Sequence, residues 1–394
     1  MRDKKIKVLI IGGGIAGVSS ARALSEIKNT KITLVEKNSF LGAGIKTFYY
    51  GGHPYTFGPR LFITKNKEVY NYLNKFVPMR SVNKLEFITY VEKDNQFYNY
   101  PINLKDINKM PDKKKILFEI KKNKKIKKNF NNLEDYWVST VGKTLYSKVI
   151  EKYNKKMWMI NDNKIIDTFS WSPKGPALKK GHRAVYNDQI CSYPKSEDGY
   201  NKFFDGINKI KNVEILLNSE VRVENLEDKI FYINNIKKEK FDVVINTISP
   251  DFLLNYRYGE LRFLGRDIHK IVLPVDNILP KNVSFVYYAN DEKFTRITEF
   301  KKFTKKRSNT TLITLEYPSN NGKHYPLPFK KDILIAHKYL RSLPKWYFSI
   351  GRAGTYRYEV DIDDSIEQSL KIKEIIDKVT PYAGSMPVER WWNL

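Results

Sequence analysis

The sequence predicts an α/β fold: a discontinuous Rossmann-type dinucleotide-binding domain with an inserted helical unit and an antiparallel β-sheet. Three observations carry this. A buried-type strand, a glycine turn, a helix rich in small residues and a second strand follow one another over residues 6–36. Two more strands of the buried type, 241–247 (FDVVINT) and 346–350, recur far downstream. Between the opening unit and the last of these strands, residues 103–167 carry helical spacing and 261–316 alternate as an antiparallel sheet would.

Residues 6–11 (IKVLII) are a continuous apolar run, the pattern of a strand covered on both faces of a parallel sheet. The glycine turn, the stretch Ala16–Leu24 and the strand 31–36 (KITLVE) complete a βαβ unit. Residues 68–76 (EVYNYLNKF) have helical spacing, and YWVSTVGKTLYSKVIEKYNKKMW is the clearest part of the longer helical stretch. Residues 213–223 (VEILLNSEVRV) and 230–233 read as strands. LRFL, HKIVLPV, VSFVYYA, FTRITEF and TLITLEY read as the antiparallel sheet. YFSIGRAG gives a late strand and glycine turn, and Asp364–Val379 a closing helix. The predicted division is a nucleotide-binding domain of 1–77 with 205–250 and 345–394, a helical domain of 103–172, and a sheet domain of 78–102 with 173–204 and 251–344.

A chain of 394 residues exceeds what one hydrophobic core usually organises. With 41% hydrophobic and 14% aromatic residues it reads as globular, not disordered. No stretch approaches the ~18 consecutive apolar residues of a membrane span. The start, MRDKKIKVLIIGGG, runs into a glycine loop where a signal peptide would have a small-residue cleavage site, so it reads as a strand. The single cysteine, Cys191, excludes an internal disulfide and fits a cytoplasmic setting. The formal charge of +27 raises the possibility of nucleic-acid binding, but the lysines are spread along the whole chain amid Asn and Ile, which favours a solvated basic surface. The densest block, Asp112–Asn132, holds nine lysines. It reads as a solvated face, or as a contact for an acidic membrane surface or an anionic substrate.

Gly12, Gly14 and Gly17 form G-x-G-x-x-G between the first strand and the helix. Gly12 allows the tight turn, Gly14 lets a pyrophosphate approach the backbone, and Gly17 lets helix and sheet pack closely. Ile15 and Ala16 open the helix, whose unpaired N–H groups and partial positive charge attract phosphate. Glu36, followed by Lys37, ends the second strand 19 residues after Gly17, where a carboxylate can accept both ribose hydroxyls. LGAGIKTF (41–48) sets a second glycine turn, with Gly44, just beyond. GRAGTYRYEVDIDDSI (351–366) brings Arg352, Tyr358 and Asp361 to a late strand-to-helix junction. Glycine turns at both places fit an extended FAD better than NAD. No metal site is predicted.

Further blocks stand in order: GPRLFITKNKEVYNYLNKF (58–76), YPIN (100–103), GKTLYSKVIEKYNKKMW (142–158), FTRITEFKKF (294–303), EYPSNNGKHYP (316–326) and GRAGTYRY (351–358). In these the sequence resembles the UDP-galactopyranose mutase family. The resemblance implies a flavin-dependent pyranose–furanose mutase acting on a UDP- or dTDP-linked sugar in polysaccharide biosynthesis. Reduced FAD would serve through N5 as nucleophile at the anomeric carbon, with no net redox change. A reductant such as NAD(P)H would prime the flavin; the sequence leaves the sugar, the base, the electron donor and the oligomeric state open, a homodimer being one possible state. The resemblance places the base on Tyr153, the sugar beside Trp158, hydroxyl donors at Tyr325 and Tyr358, and a further substrate tyrosine at Tyr193. Arg296 would hold the diphosphate near the flavin, and Arg183 would close over it from a mobile loop (175–188). Such donors suit a diphosphate leaving group because they strengthen as its charge develops. On this reading Arg296→Ala abolishes turnover with the fold intact.

The sequence departs from the family's pattern at several positions. Arg60 and Ile63 stand where the family has two histidines, the first beside the flavin. Val149 and Ile150 stand for two phenylalanines of the uridine pocket, and Glu260 for an arginine. A second class, a flavin oxidase or dehydrogenase of the amine-oxidase type, shares the dinucleotide fold and predicts stoichiometric flavin oxidation by substrate. A basic adaptor without catalysis is a third.

Overall fold

The computed structural model describes residues 5–123, 130–169, 172, 177–186 and 188–379. The lysine block and the 175–188 loop therefore lie partly outside the described residues. β1 (Ile6–Ile11), α1 (Ile15–Ser25) and β2 (Thr30–Val35) form the opening βαβ unit. β1 is the centre of a five-stranded parallel sheet in the order Val213–Leu216, β2, β1, Val243–Asn246, Tyr347–Ser349. Val8 is paired on one side with Ile32 and on the other with Val243. Val8 and Ile10 bury toward α1 and the closing helix Ile362–Val379, and Leu9 and Ile11 toward the opposite core around Tyr339 and Leu340. That two-sided cover is why the strand reads as unbroken apolar sequence. Each such side chain contributes about 1.5–3 kcal/mol of burial. Small residues let α1 and the closing helix approach, and the Ser20 and Ser369 hydroxyls hydrogen-bond between them at 3.0 Å.

A second, seven-stranded sheet has the order Tyr325–Pro326, Phe263–Leu273, Thr311–Ser319, Arg296–Glu299, Val283–Tyr288, Glu86–Val91 and Gln96–Tyr100. It is antiparallel except where Val283–Tyr288 runs parallel to Glu86–Val91. Helices Lys113–Asn123, Leu133–Val141 and Glu151–Trp158 pack around the buried Trp137. No helix among the described residues is long and apolar enough to cross a membrane.

Two expected elements differ. The 213–223 stretch is two strands: Val213–Leu216 joins the parallel sheet, while Val221–Asn225 turns away into a three-stranded antiparallel ribbon. LRFL and HKIVLPV are largely one strand, Phe263–Leu273, running straight through Gly265. A Cβ on Gly265 would lie 1.5 Å from the Asn321 carbonyl oxygen, so this glycine serves close approach and not a turn.

Candidate active site

The glycine turn builds the first wall. Gly12 has φ +100°, and a Cβ on Gly17 would lie 1.9 Å from the Gly12 carbonyl oxygen, so helix and turn touch. A Cβ on Gly14 would meet only Ala43 at 3.7 Å, which leaves the space over it open. α1 starts at Gly14 with no side-chain cap and no acidic residue in its first turn. The unpaired N–H groups there are the donors a pyrophosphate requires. The late turn closes on the early one: Gly351, at φ +72°, is close enough to Ala16 that a Cβ would lie 2.9 Å from its methyl. These features fit FAD.

Glu36 is buried, and its carboxylate is already engaged. Oε2 accepts from the Gly13 N–H at 2.7 Å, and Oε1 accepts from the Asn38 N–H and side-chain amide at 2.8 and 2.7 Å. The carboxylate thus fixes the turn as well as keeping acceptor capacity for a ribose. Lys37 points to solvent in an ion pair with Glu220 at 2.7 Å, away from the cavity.

From Gly14 a cavity of about 440 Å³ runs between the two sheets. Ile15, Ala16, Gly44, Arg60, Arg352 and Asp361 line the cofactor end. Tyr153, Arg296, Tyr325 and Tyr358 line the rest. Arg352 donates to Asp361 at 2.7 Å, and its guanidinium lies over Tyr325 and Tyr358. Arg296 meets Glu316 in a two-pronged ion pair, Nε–Oε1 2.8 Å and Nη2–Oε2 2.5 Å. The two residues are register partners on adjacent strands, and Glu316 is 1% exposed. Burial lowers the Arg296 guanidinium, but the Glu316 carboxylate outweighs it and holds the group above its ordinary pKa.

Three expected residues stand elsewhere. Tyr193 is buried against Tyr200 and Phe303 in the core and does not reach the cavity, because alternation along Ile190–Pro194 turns it inward. Trp158 is buried behind Tyr358, edge-on at 5.0 Å, and stiffens the wall without lining it. Arg183 is 38% exposed and bridges Glu86 and Asp106 at 2.8 Å each, so in this conformation its charge is spent outside the cavity. Val149 and Ile150 are buried in the helical core.

The structure also brings in residues that sequence reasoning did not assign. Tyr100 and Tyr153 contact Tyr287 edge-on at 4.9 and 5.2 Å, and Phe285 supports it at 5.2 Å. Tyr186, from the expected mobile loop, is part of the same wall. Arg266 and His324 flank Tyr325. Burial pushes the Tyr153, Tyr186, Tyr287 and Tyr358 hydroxyls up. Tyr325 behaves oppositely: burial pushes it up, yet Arg60 and Arg266 leave it below the ordinary tyrosine value. His324 is pushed down to about 4 by burial and the same two arginines, so it is neutral at physiological pH. Arg266 falls between LRFL and HKIVLPV, two segments of the expected sheet, and no motif marks it.

This fold and cavity define a Rossmann-type flavoprotein whose cofactor cleft opens onto a second, tyrosine- and arginine-lined chamber. The model of UDP-galactopyranose mutase matches residues 148–358, and that of an NAD(P)-binding Rossmann-like domain residues 10–76. The chain belongs to the UDP-galactopyranose mutase family, the flavin-dependent nucleotide-sugar isomerases, and its cofactor is FAD. It is 26% identical to a probable UDP-galactopyranose mutase of Klebsiella pneumoniae over 98% of each chain. It is 25% identical to dTDP-fucopyranose mutase of Escherichia coli over 94% of this chain and 98% of that one. A crystal structure of reduced UDP-galactopyranose mutase shares the fold, with a TM-score of 0.80, 17% identity, and coverage of 95% of this chain and 96% of that one.

Proposed function

We propose that the chain interconverts the pyranose and furanose forms of a UDP- or dTDP-linked sugar in the cytoplasm, with its flavin held reduced by a donor such as NAD(P)H. The observation that carries this is the continuity of one cavity from the Gly14 cradle to the arginines and tyrosines around Tyr325. A nucleotide sugar placed there meets the cofactor without crossing solvent. When bound and reduced, FAD supplies a nucleophilic N5 for the anomeric carbon.

The chain's own residues bind, orient and exclude water. Tyr153 offers a ring face to the base. The Tyr325 and Tyr358 hydroxyls donate to the diphosphate. Arg296 is held rigid by Glu316, and its guanidinium at the cavity wall donates to a phosphate oxygen. The aromatic wall of Phe285, Tyr287 and Tyr100 keeps bulk water from the reacting centre. Arg183 would swing in from its Glu86–Asp106 bridge to complete the enclosure.

The test is to incubate dithionite-reduced protein with a panel of UDP- and dTDP-sugars and separate products by chromatography. Furanose product with no net flavin oxidation supports the mutase. Stoichiometric oxidation of flavin by substrate, with no ring isomer formed, would establish the oxidase reading instead.

A further inference from the structure

The arginines of the cavity are not electrostatically equivalent. Arg296 is neutralised by Glu316, Arg352 by Asp361, and Arg183 by Glu86 and Asp106. Arg60 and Arg266 also have guanidinium groups at the cavity, yet among the described residues no carboxylate lies within ion-pairing distance of either. Arg60 donates its Nε to the Gly44 carbonyl at 3.1 Å. Arg266, only 6% exposed, donates to the carbonyls of Gly265 and Met157 at 2.7 and 3.3 Å and stacks over Tyr325 at 4.7 Å.

A buried cation that meets only carbonyl dipoles and a ring face is expensive to keep unless an anion completes it. Arg266 is such a cation, and Arg60, half-buried, adds to the same cavity wall a second guanidinium without a carboxylate partner among the described residues. His324 fits the same picture. The Arg266 backbone N–H donates to its Nδ1 at 3.1 Å, so the neutral ring carries its proton on Nε2, and it adds no competing positive charge.

We propose that Arg60 and Arg266 form the anion site of this cavity, a two-guanidinium clamp on the wall beside Tyr325 that supplies the uncompensated positive charge which the Glu316-paired Arg296 does not. The site rests on the functional reading above and deepens it. Arg296, with its charge cancelled, orients; Arg60 and Arg266 supply the uncompensated field. The ligand chemistry is an anion that presents two acceptor atoms side by side, as a diphosphate does and as the edge of an anionic reduced flavin does.

Two measurements on FAD-loaded protein distinguish these sources. Calorimetric titration of the oxidised form with UDP, dTDP and inorganic pyrophosphate reads the diphosphate. The midpoint potential without nucleotide reads the flavin. If the clamp holds the diphosphate, Arg266→Leu weakens nucleotide and pyrophosphate binding about 10- to 100-fold, the range for losing a hydrogen bond to a charged group, and leaves the potential unchanged. If it holds the flavin, Arg60→Leu makes the potential more negative and leaves nucleotide affinity unchanged. Should either leucine variant fail to fold, Arg266→Lys and Arg60→His decide, since neither presents two parallel donors. Wild-type affinity and wild-type potential in both variants would overturn the clamp. A wild-type protein that holds FAD and binds UDP but forms no furanose from any sugar would overturn the mutase reading and leave the clamp standing.

Discussion

Arg296 carries two separable burdens. Its motif marks it for the diphosphate, but its guanidinium is also the partner of a carboxylate at 1% exposure. Removing one member of a buried ion pair typically costs about 3–5 kcal/mol because the other charge is stranded. Arg296→Ala is therefore expected to lower stability by several kcal/mol, measured by denaturant unfolding, besides losing roughly two to three orders of magnitude in rate. The double variant Arg296→Met, Glu316→Leu should recover most of the stability and none of the rate. An Arg296→Ala protein as stable as wild type would show that water enters the pair. This was not legible in the sequence. FTRITEF identified the arginine, whereas its partner lies 20 residues away and is specified by strand register.

Acid stability separates two other groups. His324, held near 4, is neutral in the fold while the unfolded side chain protonates near 6.5, so its stability contribution is present above 6.5 and is lost as pH falls toward 4. Asp363 is pushed up to about 6 by burial and by Asp364, so the folded state takes up its proton first and gains stability as pH falls from 6 toward 3.8. Each shift corresponds to about 3 kcal/mol, and they oppose one another in the same window. Between pH 6.5 and 4 the melting temperature of His324→Gln is expected to rise relative to wild type, and that of Asp363→Asn to fall. Parallel curves for all three proteins would show that neither group is held as described.

At the scale of the element, the segment carrying Arg183 is better fastened than its composition implies. Leu178–Lys179 pairs with Ile102–Asn103, and the Arg183 carbonyl accepts from Asn99 and Lys179 at 3.0 and 2.9 Å. A glycine- and lysine-rich stretch reads as mobile because none of these partners is local in sequence. Closure over a ligand would exchange the Glu86 and Asp106 contacts for a diphosphate. UDP or dTDP is expected to slow tryptic cleavage over 179–183 in wild type and much less in Arg183→Ala, with the difference shrinking as salt is added. Tight nucleotide binding with unchanged cleavage would mean that Arg183 stays in its outer bridge. The same contrast explains which elements could be read in advance. The βαβ unit and the closing helix carry their periodicity locally, whereas the straight run of Phe263–Leu273 through Gly265 depends on a crossing backbone at Asn321. Arg266, one residue on, falls in the gap between LRFL and HKIVLPV and belongs to no segment or motif read from the sequence.

For the whole molecule, Glu36 links cofactor to fold. Its carboxylate ties the Gly13 turn to the end of β2, so Glu36→Ala should weaken FAD binding through a loosened cradle as well as a lost ribose acceptor. Purified wild type is expected to be yellow, with a melting temperature that rises with added FAD. Glu36→Ala should need a higher FAD concentration for the same rise. A colourless wild type that FAD cannot reconstitute would remove the basis for the assigned chemistry.

The parallel sheet also orders events during synthesis. Its central strand is made long before its far edge strand, Tyr347–Ser349, and the hydroxyl pair joining α1 to the closing helix spans 349 positions. At ~5–20 residues per second of translation, the opening strand waits on the order of tens of seconds for its remaining neighbours. Through that interval an apolar strand with open edges sits outside the ribosome, where chaperones are its available cover. Nascent chains stalled short of residue 345 should therefore stay bound to holdase chaperones and fail to retain FAD, because the glycine turn that closes the cradle has not yet been translated.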